Sequence, residues 1–508
     1  MPNSFTAPIV PGRLPVVGQQ GHKDRLSAID ASFLHQEKQA SHMHVGALAV
    51  FEGPPPARED FCGHLERRLG RVPRYRQKLA FPPLETGRPF WVDDPSFNLD
   101  YHVRHTALPK PGSDDQLRQL VGRIFSQRLD RSKPLWEIWI VQGLEGGRFA
   151  LISKTHHALV DGVSGVDIAT VLFDLSPLLA EPEVEDRWTP APEPSDIELV
   201  AEGVAGLVRT PFSLAGRALG ALQHPGETIG QIREAAEGLG EVVWAGMNPA
   251  PDVPLNVPIG PHRRVRWLQS RLSDFKEIKN ALGGTVNDAV LAVVAGALGR
   301  WLRDRGVRTE GTELRALVPV SIRSDDERGA LGNRIAAMRG PLPVYVDDPV
   351  ERLRVVQRGM GELKESKQAL GAEVIAGLTD FAPPTLLAQA SRLNFSTRLF
   401  NLIVTNVPGP QFPLYLLGRE MREIVPIAFL PENHALAIAI MSYNGKVDFG
   451  LLADYDAMPD LDAFADHLEE SLEELLTAGR KAGRARARSN GSKKDGTPGT
   501  ARRKTPAS

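Results

Sequence analysis

The sequence predicts an α/β protein of two lobes with a cleft between them. Two blocks, residues 1–178 and 263–478, each mix apolar β-branched runs with segments in which apolar residues recur at helical spacing. Between the blocks, residues 179–262 are rich first in Glu, Pro and Asp and then in Ala and Gly, with Leu and Val at helical intervals. This change in composition predicts a helical crossover, whose helices either cover a core or face lipid; we favour the core.

The first block begins its folded part at Leu26. Short helices are predicted over 60–69 and 116–129. Strand-like runs over 135–142 and 148–155 flank a glycine-rich turn. These two runs predict a β-hairpin whose second strand leads directly into two adjacent histidines.

The histidines belong to the stretch THHALVDG at residues 155–162. Ser164 and Asp167 have the spacing of a capping box for a following helix, so residues 156–162 are predicted to form a strand-to-helix turn that faces a cavity. A neutral imidazole near pH 7 can take a proton from a hydroxyl or thiol and return it. We therefore interpret the stretch as an acyl-transfer centre with His157 as the base.

Three neighbours are expected to support His157. Asp161 can hold the turn or the imidazole through a hydrogen bond or an ion pair, and Gly162 permits the tight backbone turn that Asp161 begins. His156 is expected to fix the turn by packing or by a hydrogen bond. The same short pattern also arises by chance in proteins where its residues only shape a turn.

No nucleophile accompanies the histidine. The residues after Asp161 read GVSG, which is not the Gly-x-Ser-x-Gly elbow, and the single cysteine, Cys62, has no local motif. Direct transfer without a covalent intermediate is therefore predicted. No metal site is predicted, because adjacent strand histidines point apart and neither a His-Glu-x-x-His nor a Cys-x-x-Cys pattern occurs.

Composition indicates where the protein works. The 508 residues are 42% hydrophobic and 24% charged, as in soluble globular proteins, and one cysteine excludes an internal disulfide. Residues 1–20 lack the pattern of a secretory signal. The longest apolar run, 289–299, is shorter than the ~20 residues of a membrane span. We expect a cytoplasmic protein whose membrane contact is peripheral.

The C-terminal segment, residues 479–508, is strongly basic. It holds ten Arg or Lys and one Asp, a net charge of +9 in a chain whose total is −2. With almost no apolar residues, it is predicted to be a disordered tail. It either keeps the protein soluble or attracts it to anionic lipid, at the inner membrane face or on lipid droplets. Nucleic-acid binding is not expected, because the rest of the chain is acidic and no base-stacking module is evident.

The second block is predicted to begin with a strand over 265–272. Ser273 is predicted to cap the next helix, which the glycines at 283–284 end. Asn444-Gly445 between two apolar runs predicts a hairpin. Further strands are predicted over 314–321 and 401–407, and a last helix is predicted after Asp460, with the folded part ending near 478.

Two residues at the start of a helix in this block are further candidates. Thr285 and Asp288 have capping-box spacing, so we interpret Asp288 mainly as a capping residue. Asn287 is less constrained by the cap and can point a hydrogen-bond donor into the cleft.

From about Leu26 to Leu476, the chain resembles the bacterial wax ester synthase/diacylglycerol acyltransferase family. The histidine motif alone is shared with chloramphenicol acetyltransferase-like enzymes, carnitine acyltransferases and condensation domains of peptide synthetases. Five anchors in this order make the resemblance specific. Along the chain they are PLW at 134–136, HHALVDG at 156–162, NDAVLA at 287–292, VPVSIR at 318–323 and TNVPGP at 405–410.

This resemblance implies a two-lobed, chloramphenicol acetyltransferase-like fold of the CoA-dependent acyltransferases, with the active site in a tunnel where the lobes meet. It implies no cofactor: a long-chain acyl-CoA is the co-substrate, and diacylglycerol or a fatty alcohol is the acceptor. It also implies His157 as catalytic base, with His156 and Asp161 supporting it. Asn287 and Asp288 would face the site from the second lobe.

The expected reaction is direct acyl transfer in a ternary complex. His157 accepts the proton of the acceptor hydroxyl while the oxygen attacks the thioester carbonyl, and CoA leaves as a thiol. Asn287 is our candidate donor to the oxyanion. We favour diacylglycerol as acceptor, with triacylglycerol as product, and wax ester synthesis from a fatty alcohol is the alternative.

Two other interpretations compete with this one. A glycerol-phosphate acyltransferase fits the spacing of His156 and Asp161 but does not account for the second block or its motifs. The non-enzyme interpretation is a lipid-surface protein with a degenerate site. Release of CoA in the presence of an alcohol separates the enzyme from the non-enzyme.

Overall fold

The computed structural model describes residues 23–83, 87–160, 171–178, 188–199, 248–321, 335–365 and 396–494. The strands of the first block are β1 Lys23–Arg25, β2 His44–Phe51, β3 Gln77–Ala80, β4 Phe90–Asp93, β5 Val103–Ala107, β6 Trp136–Gln142 and β7 Phe149–His156. Its helices are α1 Ala28–Gln36, α2 Arg58–Glu66, α3 Leu99–His102 and α4 Asp114–Phe125. The strands of the second block are β8 Arg263–Arg271, β9 Leu314–Ser321, β10 Ile335–Leu342, β11 Leu402–Pro408, β12 Tyr415–Leu416, β13 Arg419–Ile427, β14 Leu436–Tyr443 and β15 Lys446–Asp454. Its helices are α5 Leu272–Leu282, α6 Val286–Asp304, α7 Pro349–Glu365 and α8 Leu461–Lys494.

The first six-stranded sheet carries the histidine stretch on a central strand. Its order is β12-β13-β2-β7-β6-β5, and a separate three-stranded sheet has the order β1-β4-β3. β6 and β7 are antiparallel neighbours, which confirms the predicted hairpin. Gly146 and Gly147 take positive φ angles of 75° and 71° in its turn. Because β7 ends at His156, the two histidines lie at the end of a buried strand.

A strand from the second block completes this first sheet. β13 pairs antiparallel with β2, from Met421 opposite Phe51 to Ile427 opposite Gly46, with a register shift between Met421 and Glu423. No strand was predicted here, because charged residues interrupt the apolar alternation at the start of β13. The second block therefore contributes two strands, β12 and β13, to the sheet of the first.

The second six-stranded sheet belongs wholly to the second block. Its order is β10-β9-β11-β14-β15-β8, with β11 parallel to both β9 and β14. The hairpin between β14 and β15 is confirmed, and Asn444 and Gly445 have positive φ angles of 44° and 81°. The strands predicted over 314–321 and 401–407 are also found, the latter shifted by one residue.

The first helix after β8 does not have the predicted N-cap. α5 begins at Leu272 directly after Arg271, and Ser273 lies inside its first turn. β8 runs into the helix without a loop, and the N–H of Leu272 donates to the carbonyl of Gly445 at 2.9 Å, so no serine cap is needed. Gly283 ends α5 with a φ of 87°, as predicted.

Thr285 and Asp288 form the predicted capping box at the start of α6. Thr285 Oγ1 accepts from the N–H of Asp288 at 3.1 Å, and Asp288 Oδ2 accepts from the N–H of Thr285 at 2.8 Å. Most side chains of α6 are buried in the core of the second lobe. The capping box thus satisfies two backbone donors at the end of a buried helix.

Replacing Thr285 by alanine should lower the free energy of unfolding by about 1 kcal/mol, because the N–H of Asp288 then loses its side-chain acceptor. Thr285→Ser keeps the hydroxyl and serves as the matched control. Urea denaturation of the two variants measures the difference. Equal stability of Thr285→Ala and the wild type would show that the capping box does not hold α6 in place.

The lobes share an apolar core around the first sheet. Its buried members include Leu48 and Ile152 from the first block and Trp267 and Val425 from the second. A β-carbon on Gly450 of β15 would overlap the carbonyl oxygen of Pro426 on β13. Glycine at this position therefore lets β13 and β15 approach each other closely.

Helix α8 extends into the segment that was predicted to be disordered. It runs from Leu461 to Lys494, so residues 479–494 are helical, which corrects the predicted boundary at 478. Alanine, arginine and lysine favour helix, and Arg480 forms an ion pair with Glu277 of α5 at 3.2 Å. Residues 495–508 and most of the predicted crossover, 179–262, lie outside the described residues.

In the described ranges, no single helix is both long and apolar enough to cross a membrane. Among the helices that the structure describes, α5 and α6 taken together, at 100° to each other, reach that length and hydropathy.

Candidate active site

His157 is the first residue after the central strand β7. Its N–H donates to the carbonyl of Met43 at 2.7 Å, and its own carbonyl accepts from the N–H of Val160 at 3.2 Å. The preceding residue, His156, is paired with His44, the first residue of β2. The backbone of the turn is thus held on both sides, while the His157 side chain is half-buried. This placement at a strand end agrees with the predicted turn.

Two aromatic rings from distant parts of the chain hold the imidazole of His157. Phe33 of α1 stacks on it with ring centroids 4.0 Å apart and planes at 25°. Phe429, two residues after β13, meets it edge-on at 5.5 Å and 87°. Because β13 of the second block pairs with β2, it brings Phe429 to the histidine. The two rings fix the plane of the imidazole.

Burial in this aromatic setting lowers the pKa of His157 to about 4, and the nearby His156 acts in the same direction. A contact of the imidazole with the residue's own backbone carbonyl opposes the shift. Nδ1 is buried and makes no hydrogen bond to another side chain or backbone group in the described ranges. The imidazole is therefore neutral at pH 7, the state that a general base requires.

His156 points the other way, into the protein. It is 1% exposed, and its Nδ1 accepts from the N–H of Ala158 at 3.0 Å. An acceptor at Nδ1 places the proton of the neutral ring on Nε2, which lies 3.7 Å from Glu37 Oε2. Both ring nitrogens thus face protein groups, which fits the turn-fixing role predicted for His156.

Glu37 is the residue of this region that the sequence did not reveal. Its buried carboxylate accepts from Arg131 Nε at 2.7 Å, and Arg128 Nη2 lies at 3.4 Å and His44 Nε2 at 3.5 Å. Burial raises its pKa, but the polar ring nitrogens of His156 and His44 that face it and the charge of Arg131 lower the pKa by more, so Glu37 is ionised. No local motif marks it, since it only follows the last residue of α1.

The neutral buried histidines predict a loss of stability in acid. Burial lowers the pKa of His157 and His102 to about 4 and that of His44 to about 3, whereas burial raises the pKa of Asp448 to about 7. As pH falls below ~6.5, these histidines bind protons in the unfolded chain but stay neutral in the folded protein, so the unfolded state is favoured. Asp448 opposes one histidine over the same window, since only its folded form is protonated there.

Near pH 5 these four groups alone should make the free energy of unfolding fall by about 2.7 kcal/mol per pH unit, the slope for two net protons, and the other buried histidines with lowered pKa values, His42, His64, His156 and His434, act in the same direction. Urea denaturation at pH 7, 6 and 5 measures this slope. A free energy of unfolding that stays constant or increases over this range would contradict the neutral histidines.

The candidates from the second lobe lie at the start of α6. Asn406 Nδ2, on β11, donates to Asn287 Oδ1 at 3.3 Å, and Asp288 uses Oδ2 in the capping box. Asp288 Oδ1 is buried without a hydrogen-bond partner in the described part of the chain. No hydrogen bond, ion pair or ring contact among the described residues joins Asn287 or Asp288 to His157. Their role in the site stays a prediction.

Asp161 and Gly162, and the capping pair Ser164 and Asp167, lie outside the described residues. Cys62 is half-buried on α2, and burial raises the pKa of its thiol, so the reactive thiolate is disfavoured. Within the described ranges, no group of three His, Cys, Asp or Glu side chains is arranged to hold a metal ion.

Comparison with known proteins gives matches along nearly the whole chain. A family model described as the wax ester synthase/diacylglycerol acyltransferase catalytic domain matches residues 26–290, and one described as the WS/DGAT C-terminal domain matches residues 331–476. A Mycobacterium tuberculosis protein named "Probable diacyglycerol O-acyltransferase tgs1" is 32% identical over 462 residues, which are 90% of this chain and 97% of that protein. A second protein of that organism, named "Probable diacyglycerol O-acyltransferase tgs2", is 34% identical over 90% of this chain and 99% of its own length.

Solved structures share the two-lobed fold. The wax ester synthase/diacylglycerol acyltransferase from Marinobacter aquaeolei has a TM-score of 0.62 and 29% identity, covering 90% of this chain and 99% of that one. A trichothecene 15-O-acetyltransferase from Fusarium sporotrichioides has a TM-score of 0.56 at 12% identity, covering 93% of this chain and 100% of that one. These similarities confirm the predicted acyltransferase fold.

Proposed function

The chain belongs to the wax ester synthase/diacylglycerol acyltransferase family, and from this premise we propose that it transfers a long-chain acyl group from acyl-CoA to the hydroxyl of diacylglycerol, forming triacylglycerol. That it is an acyltransferase follows from the family. The choice of diacylglycerol is supported by the names of its mycobacterial relatives. Acyl-CoA serves as co-substrate, and no cofactor takes part in the proposed reaction.

The observation that carries the proposal is the state of His157. Its imidazole is neutral, half-buried and held in one plane by two aromatic rings. Its Nδ1 is buried without a hydrogen-bond partner among the described residues, so we assign the lone pair that accepts the substrate proton to Nε2. A neutral imidazole in a fixed orientation is suited to act as a general base.

In the proposed reaction, His157 Nε2 accepts the hydroxyl proton of diacylglycerol while the hydroxyl oxygen bonds to the thioester carbonyl carbon. The carbon–sulfur bond then breaks, and the proton passes from the imidazolium to the CoA thiolate. Products are triacylglycerol and CoA with a free thiol, so no acyl-enzyme forms. Cys62, with its protonated thiol, takes no part in this scheme.

Three supporting roles are part of the proposal. Asn287 accepts a hydrogen bond at Oδ1, which leaves its Nδ2 group as the donor for the oxyanion that forms on the carbonyl. His156, with Asp161 and Gly162, shapes the turn that presents His157. Asp288 acts through the helix cap, which sets the position of Asn287.

An acceptor panel tests the proposed function. Purified enzyme with labelled palmitoyl-CoA is given diacylglycerol or hexadecanol, and lipid products are separated by thin-layer chromatography. Triacylglycerol should be the main product, and some wax ester is expected because an apolar tunnel discriminates weakly between acceptors. If only wax ester formed, the fatty alcohol would be the preferred acceptor. If neither lipid formed, the result would favour the interpretation as a non-catalytic lipid-surface protein.

We also propose that the cytoplasmic enzyme associates peripherally with anionic lipid through its basic C-terminal segment. Residues 479–508 carry a net charge of +9, of which 495–508 carry only +2. Ending the chain at Ala478 should weaken binding to anionic vesicles most at low salt, because attraction decays over a Debye length of ~8 Å at physiological ionic strength. A chain that ends at Lys494 is the control, and it should lose little of the binding to anionic vesicles. Equal binding of all three proteins would remove the membrane role.

A further inference from the structure

The end of helix α1 meets both histidines of the candidate site. Phe33 and Glu37 are four residues apart, so they lie about one turn from each other on the same side of the helix. The ring of Phe33 stacks on His157, and the carboxylate of Glu37 faces His156 Nε2 at 3.7 Å. The N–H of Glu37 donates to the carbonyl of Phe33 at 3.1 Å. A single turn of helix therefore positions one side chain against each histidine.

Arg131 holds this turn of α1 in place. Its Nε donates to Glu37 Oε2 at 2.7 Å, and its Nη2 donates to the carbonyl of Leu34 at 2.8 Å. The same guanidinium thus binds both a side chain and the backbone at the carboxyl end of the helix, where carbonyl groups lack partners within the helix. Because neither hydrogen bond involves His157, the position of Phe33 is set independently of the charge on the imidazole.

The imidazole of His157 lies over the face of the Phe33 ring. The ring centroids are 4.0 Å apart and the planes differ by 25°, so the two rings are nearly parallel. Phe429 stands nearly perpendicular to both rings, with its centroid 5.5 Å from that of His157 and 6.1 Å from that of Phe33. Both phenylalanines are buried. Since the face of an aromatic ring carries partial negative charge, the imidazole lies against a negative surface from which water is excluded.

His157 becomes a cation during the proposed acyl transfer. As its Nε2 takes the hydroxyl proton, the O–H bond breaks and the imidazole gains one positive charge, while the negative charge passes to the carbonyl oxygen of the thioester under attack. Among the described residues no carboxylate acts on the pKa of His157, which burial and the nearby His156 lower. In these surroundings the cation needs stabilisation, which the negative face of the Phe33 ring can supply.

We propose that Phe33 stabilises the protonated form of His157 in the transition state through the negative face of its ring. Phe33 is a positioning residue in this role, because it acts on the reaction through His157. The attraction between a cation and a ring face is much weaker when the imidazole is neutral, so it favours the transition state over the bound substrates. At a desolvated site it should increase the rate of transfer about 5- to 30-fold. This inference rests on the proposed function for the assignment of His157 as the base.

Phenylalanines with one, two or three fluorine atoms on the ring test the inference when they replace Phe33 in the full-length protein. Fluorine withdraws electrons, which makes the ring face less negative while the size and shape of the ring change little. The rate of triacylglycerol formation from palmitoyl-CoA and diacylglycerol in a single turnover should fall with each added fluorine. Three fluorine atoms should lower this rate by about 5- to 30-fold in total. Circular dichroism verifies that each variant is folded.

Two further sets of variants separate charge stabilisation from packing. Phe275 of α5 is the matched control, since it is buried in the core of the second lobe, and the same fluorinated residues at this position should leave the rate unchanged. Phe33→Leu removes the ring face and should lower the rate by at least as much as three fluorine atoms. If Phe33→Leu lowered the rate but the fluorinated series did not, Phe33 would act by packing alone, and the proposal would be overturned. An equal loss in the two fluorinated series would also overturn it.

Modification of His157 by diethyl pyrocarbonate gives a readout that needs no acyl transfer. A carbonyl carbon of the reagent bonds to a neutral imidazole nitrogen, so positive charge develops on the ring as it does in the proposed reaction. At pH 7 the initial rate of modification of His157, measured by mass spectrometry, should fall in the same order along the Phe33 series. An unchanged rate, or no modification of His157 at all, would contradict the proposal.

The failure of this inference can be told apart from the failure of the proposed function. If the rate of modification follows the fluorinated series but no ester forms with any acceptor, the stabilisation by Phe33 stands and the proposed function fails. If triacylglycerol forms at the same rate along the whole series, the inference about Phe33 fails alone.

Discussion

Replacing His157 by alanine should lower kcat by about 10²- to 10⁴-fold, the range that a general base contributes. The fold should survive, because the side chain is half-buried and the backbone hydrogen bonds to Met43 and Val160 do not involve the imidazole. Release of CoA from palmitoyl-CoA in the presence of diacylglycerol measures kcat, and circular dichroism measures folding.

The comparison variant is His156→Ala. His156 is 1% exposed and faces Glu37, so its loss should reduce stability more than the loss of His157 does. Per folded molecule, however, His156→Ala should retain more activity, because its nitrogens are directed into the protein. The opposite ranking of the two kcat values, with equal folding, would transfer the base assignment to His156.

Replacing Glu37 by glutamine should lower the free energy of unfolding by about 3 kcal/mol, the lower end of the range for breaking a buried ion pair. The carboxylate is 0% exposed, whereas its partners Arg131 and Arg128 are 31% and 45% exposed and can regain water. The amide keeps the shape of the side chain but not its charge, so the change isolates the electrostatic contribution. Urea denaturation at pH 7.5 measures it.

Glu432→Gln is the matched control for Glu37→Gln. Glu432 also forms one short ion pair, with Lys38 at 2.5 Å, but its side chain is 49% exposed. Its replacement should change the free energy of unfolding by no more than about 0.5 kcal/mol. If both variants lost the same free energy of unfolding, the buried ion pairs of Glu37 would contribute no more to stability than an exposed ion pair.

Local patterns predicted those parts of the fold that depend on neighbours in sequence. The hairpin that delivers the histidines, the Asn444-Gly445 turn and the capping box of Thr285 and Asp288 are all encoded within a few residues. The position of His157 at the strand end follows from the same hairpin. These features could be derived without knowledge of any distant contact.

The parts that were missed depend on distant contacts. β13 has charged residues at its start and is a strand because it pairs with β2, some 370 residues earlier in the chain. Glu37 and Arg131 meet only when the chain after α1 lies beside the segment before β6. The helical continuation to Lys494 was missed for another reason, because low hydropathy was interpreted as disorder although the residues favour helix.

A single-turnover experiment with labelled palmitoyl-CoA tests direct transfer at His157 most directly. Wild-type enzyme in excess should release no CoA and carry no label on protein until diacylglycerol is added, and should then form CoA and triacylglycerol in equal amounts. After diacylglycerol is added, His157→Ala should form CoA and triacylglycerol much more slowly than the wild type. Release of CoA with label bound to the protein before diacylglycerol is added, or equal rates for the variant and the wild type, would contradict this mechanism.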